Sequence, residues 1–82
     1  MKKQEMIREI QLAEARAWKH YRDMDAAAGR DSSITMDMIT RSRTQWSTLY
    51  DLREALGIPS LPVPQLFALN LVPLTQQVPG VA

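Results

Sequence analysis

The chain has 82 residues, ten Lys or Arg against nine Asp or Glu, a single His and no Cys. That size allows one domain with a marginal core, and the missing cysteines exclude disulfides and a thiolate metal site. A net charge of +1 is too balanced for a protein held on nucleic acid mainly through phosphates, and no run approaches the roughly 18 apolar residues of a membrane-spanning helix. By elimination, self-association or docking on another protein is the expected source of extra stability.

Lys2 and Lys3 look like the start of a signal peptide, but Gln4, Glu5, Arg8 and Glu9 interrupt any apolar region behind them. The expected location is therefore cytoplasmic. Residues 3 to 28 lack Gly and Pro and are rich in strong helix formers. Ile7, Ile10, Ala17, Tyr21, Met24 and Ala28 recur at spacings of three, four and seven, which defines one helix face. Met6, Ala13 and Trp18 widen that face, and Arg8, Gln11, Arg16, Lys19, Arg22 and Asp23 lie outside it. Gly29 is expected to end the helix in a left-handed conformation.

Arg30 to Ser33 reads as a turn, with Ser33 or Thr35 as the cap of a second helix over residues 35 to 56. Its stripe is Ile39, Ser42, Trp46, Leu49, Arg53 and Leu56, flanked by Met38, Tyr50 and Leu52. Gly57, Ile58 and Pro59 form the stop signal. Two helices of about 26 and 22 residues would measure about 39 and 33 Å. The short turn makes them antiparallel neighbours. The expected fold is all-α, an antiparallel two-helix hairpin over residues 1 to 59.

Residues 60 to 82 form a separate tail without a charged side chain, punctuated by Pro62, Pro64, Pro73 and Pro79 after Pro59. Gln65 to Val72 is its one proline-free apolar run, compatible with a helical turn or two or with a strand. Leu61, Val63, Leu66, Phe67, Leu69, Leu71, Val72 and Leu74 are too apolar for an ordinary solvated linker. The tail is expected to latch onto a neighbour or to fold back over the hairpin.

Glu14 and Arg53 each interrupt an apolar stripe. In the antiparallel pairing Glu14 faces Leu49 and Tyr50, with Arg53 one turn further on. The pair is expected to fix helix register through a charge-assisted hydrogen bond. A catalytic carboxylate with an anion-binding arginine is the alternative, but it would need a cleft and further groups. Trp18 and Trp46 fall opposite each other, as core packing or as anchors for a partner. With Tyr50, Leu66, Phe67 and Leu69 they make up the candidate contact residues. His20, alone at the edge of its stripe, reads as boundary packing. Thr40 to Thr44 carries Arg41 and Arg43, which point about 160° apart on a helix and so form no single patch. No phosphate loop, nucleophile elbow or metal-ligand spacing occurs.

The Trp-x-x-Tyr of helix 1, the Gly29-Arg30-Asp31-Ser32 turn and the Trp46-Ser47-Thr48-Leu49-Tyr50-Asp51 run resemble small helical proteins carried by prophages and gut bacteria. The resemblance covers roughly residues 10 to 58 and implies a phage or mobile-element setting. It carries no catalytic or binding residue over. The expected function is a non-enzymatic protein-protein interaction or assembly module, self-associating as a homo-oligomer or docked on a protein partner. No cofactor, metal, catalytic residue or small-molecule substrate is expected. The alternative is a small nucleic-acid-associated regulator using Arg41, Arg43, Arg16 and Lys19.

Overall fold

Both long glycine-free runs are helical in a computed structural model, which describes residues 2–76. Helix α1 spans Lys3–Ala27 and α2 spans Met36–Ala55. A short α3, Val63–Ala68, and a 3-10 turn, Leu74–Gln76, follow. Among the described residues there is no strand, and no helix is long and apolar enough to cross a membrane. Residues 77 to 82, with Pro79, lie outside the described residues.

The helix ends divide by mechanism. At the end of α1, Gly29 does not adopt the left-handed conformation expected of it: among the described residues only Gly57 and Asn70 have positive φ. Instead the Arg30 and Asp31 N–H groups both donate to Ala27 O at 2.9 Å, tightening the last turn. Asp31 then accepts from the Ser33 N–H (3.0 Å) and hydroxyl (2.6 Å), an Asx turn that leads into α2. Thr35 caps α2 through Oγ1, which accepts from Met38 N at 3.3 Å, and the Met38 thioether takes the reciprocal bond from Thr35 N.

At the end of α2, Gly57 has φ 69°. Gly57 N donates to Glu54 O and Ile58 N to Arg53 O, both at 3.0 Å. That is the Schellman pattern. The same pattern closes α3: Asn70, φ 57°, donates to Phe67 O at 3.1 Å and Leu71 N to Leu66 O at 2.8 Å. Asparagine tolerates the left-handed region better than other non-glycine residues. Helix α3 also starts before the proline-free run, because Pro64 sits in its first turn, where no N–H is required.

The two long helices pack against each other as an antiparallel hairpin. Their register is fixed by three cross-helix contacts, Glu14 with Arg53, Trp18 with Trp46 and Met24 with Ser42. The chain after α2 folds back onto α1. Gln11 Nε2 donates to Pro59 O and Arg8 to Gln65 Oε1, both at 2.8 Å, while Leu74 N donates to Asp23 Oδ1 at 2.7 Å. The segment first runs toward the N-terminus of α1, turns at Asn70 and returns toward its C-terminus. Ile58, Leu61, Val72 and Pro73 are buried by this path, Pro73 almost completely. The most buried apolar residue of the hairpin itself is only Ala15. The described part of the tail, residues 60 to 76, therefore packs with the helices.

Candidate functional site

Helix α1 presents three surfaces. At about 100° per residue, Ile10, Glu14, Ala17 and Tyr21 point to α2. Arg8, Gln11, Ala15 and Arg22 point to the tail, and Met6 and Ala13 point away from the tail. Trp18 lies at the junction of the first two surfaces and serves both.

Between α1 and α2 the central feature is Glu14. Its Oε1 accepts from Arg53 Nε at 2.8 Å and its Oε2 from the Trp46 indole N–H at 3.1 Å. Arg53 is buried, and its second nitrogen, Nη1, donates to Ile58 O at 2.8 Å. One arginine thus ties α1, α2 and the start of the tail together. Burying this pair is tolerable because each charge has hydrogen-bonding partners of its own. The register pair read from the two interrupted stripes is brought together by the structure.

Around this pair the aromatic rings form a chain. Trp18 and Trp46 have centroids 4.6 Å apart. Tyr21 stacks on Trp46 at 6.2 Å and Tyr50 tilts against it at 5.4 Å. Trp46, half-buried, thereby contacts three rings within the hairpin. The Tyr50 hydroxyl is held protonated above its usual range, first by its hydrogen bond with Glu54. Arg22 lies 5.4 Å over the Trp18 ring, a cation–π contact that accompanies a buried Nε without a hydrogen-bond partner.

Between α1 and the tail lies a cavity of about 170 Å³, lined by Gln11, Glu14, Ala15 and Trp18 on one side and by Ser60, Leu61, Val63, Leu66 and Leu71 on the other. Leu66 is half-buried there, whereas Phe67 and Leu69 face outward. Of the tail residues nominated for contact, Leu66 is used within the chain, and Phe67 and Leu69 are available outside it.

Of the cationic residues, Arg16, Arg41 and Arg43 are exposed, and Lys19 is paired with Asp23 at 2.7 Å. His20 lines a shallow groove with Met24, Met38, Arg41, Ser42 and Gln45. Among the described residues no three His, Cys, Asp or Glu side chains are grouped to hold a metal ion.

Sequence reading missed the polar anchors of the tail. Arg8, Gln11 and Asp23 look like solvated positions, yet each binds the returning chain. For Gln11 and Asp23, which bind the backbone at Pro59 and Leu74, the signal is the run of prolines, whereas Arg8 binds the Gln65 side chain. A proline-broken segment cannot pair its own N–H and C=O groups, so the surface beneath it must supply polar side chains.

The face of the hairpin opposite the tail carries no such anchors. Met6 and Ala13 line it from α1, with Ile10 and Ala17 at its border with the α2 contact, and Leu49, Leu52 and Leu56 line it from α2. Met6, Leu52 and Leu56 are 49%, 45% and 55% exposed. No protein-family model, curated protein or solved structure matches the chain.

Proposed function

We propose that this protein is a non-enzymatic interaction module whose contact surface is the hairpin face opposite the tail, in the phage or mobile-element setting that the sequence resemblance implies. The observation that carries the reading is the apolar strip made by Met6, Leu52 and Leu56 with the half-buried Ile10 and Leu49. A two-helix layer has two broad sides. Here the tail occupies one, and the other keeps its aliphatic residues in water. Contiguous exposed apolar surface of this kind marks contact sites on soluble proteins.

Binding of an apolar-surface dye tests the reading. In protein diluted until it sediments as single chains, dye fluorescence should rise with the wild type and fall markedly with Leu52→Glu plus Leu56→Glu, with little change between low and high salt. The contrary result is a protein that leaves the dye dark and instead binds a short DNA duplex with an affinity that drops steeply as salt rises. That outcome would move the function to Arg16, Arg41 and Arg43.

A further inference from the structure

We infer that the occupant of the open face is a second copy of this chain, packed across a two-fold axis that passes level with Ala13 and Leu52 to complete an antiparallel four-helix bundle. The inference rests on the interaction reading above and names the partner for that same face.

Three observations converge on the self-pairing. The first is charge. Glu9 and Arg16 lie two helical turns apart on the rim of the open face, one on either side of Ala13. Both are exposed. The ion pairs among the described residues join Lys19 to Asp23, Arg22 to Asp25, and Arg53 to Glu14 and Glu54, and neither Glu9 nor Arg16 takes part. When α1 meets its own copy antiparallel about Ala13, Glu9 comes beside Arg16 of the second copy, and Arg16 beside the copy's Glu9. A single axis makes both attractions, as an isologous contact requires.

The second is register. Taken together, the cross-helix contacts Glu14–Arg53, Glu14–Trp46, Trp18–Trp46 and Met24–Ser42 set Ala13 of α1 near the level of Leu52 of α2. The axis chosen for Glu9 and Arg16 therefore crosses α2 at Leu52. There it sets Leu52 against Leu52 of the copy and Leu49 against the copy's Leu56, since Leu49 and Leu56 flank that level almost equally. Two helices with unrelated sequences share one centre of self-complementarity. A face shaped for an unrelated protein has no reason to do so.

The third is layering. Among the described residues, the segment after α2 is hydrogen-bonded to Arg8, Gln11 and Asp23, on the side away from Leu52 and Leu56. Two such hairpins, stacked face to face with both tails outward, give the bundle arrangement in which each apolar stripe is covered.

The absence of cysteine makes the axis directly testable in the full-length chain. Sedimentation equilibrium should give twice the chain mass, with dissociation on dilution. Leu52→Cys should form an intermolecular disulfide under mild oxidation, while Ser47→Cys, on another side of α2, should not. Glu9→Arg and Arg16→Glu alone should each weaken the dimer about tenfold, since both symmetry-related pairs turn repulsive. The double reversal should restore it. A chain that stays monomeric while still binding the dye overturns the second copy and leaves the interaction reading standing. A monomer that binds no dye removes both. A dimer in which Leu52→Cys fails to crosslink, or in which the double reversal does not rescue, overturns the proposed axis.

Discussion

The two faces of the hairpin invert the usual expectation, because the polar side of α1 is covered and the apolar side is open. The covered face presents Arg8, Gln11 and Asp23, and each binds a tail group. The open face presents Met6, Leu52 and Leu56. What covers each face explains the difference. The tail has irregular backbone whose carbonyls and N–H groups need partners, so its bed must be polar. A surface that awaits another helix layer needs no such partners, because helices satisfy their own backbone. Directional contacts together with the burial of Leu61, Val72 and Pro73 hold the covered side, whereas non-directional burial alone is what the open side has to offer.

The strongest way to break the covered side is Arg53→Met. It leaves Glu14 Oε1 and the Ile58 carbonyl without their donor, with only the Trp46 N–H remaining on the carboxylate, and loss of one member of a buried pair costs about 3–5 kcal/mol. Urea denaturation should show that loss. Replacing Glu14 by Leu in the same chain should recover part of it, which would separate the pair's net worth from the penalty of an orphaned charge.

Next in size is a contrast between leucines. Leu61→Ala, under the tail, should destabilise by about 2–4 kcal/mol. Leu52→Ala, on the open side, should cost under about 1 kcal/mol in the dissociated chain, because nearly half of that side chain is already in water. Equal losses in dilute protein would erase the distinction between the faces.

The glycines sharpen the comparison at the helix ends. Gly57→Ala should cost about 1–2 kcal/mol from its left-handed backbone alone, since an added Cβ there meets nothing within 4 Å. Gly29→Ala should stabilise by about 0.4–1 kcal/mol, because its φ is not positive and the nearest atom to a new Cβ is Ala26 O at 3.9 Å. Thermal melts of the two variants should move in opposite directions.

The smallest effect is one of pH. The Ser33 hydroxyl and N–H hold the Asp31 carboxyl below its usual range. A depressed folded value means that the contribution is present above the ordinary aspartate range and fades as pH falls through the folded value. Asp31→Asn should therefore leave a slightly lower melting temperature at neutral pH and the same one in strong acid.

Much of this was legible in the chain itself. Two glycine- and proline-free runs gave two helices, because periodicity and propensity are local. The α2 stop was legible because Gly57 before Ile58 and Pro59 has few other readings. Glu14 and Arg53 could be paired because a charge inside an apolar stripe must find its counterpart. Gly29 misled, since a glycine permits a left-handed turn but does not require one, and the Ala27 carbonyl offered another ending. Asn70 gave no warning, because its conformation follows from where the tail has to reverse. The path of that tail over Arg8, Gln11 and Asp23 was a tertiary decision. Composition showed that the segment needed cover, but only packing chose the polar side of α1, where unpaired backbone groups meet side chains able to bind them.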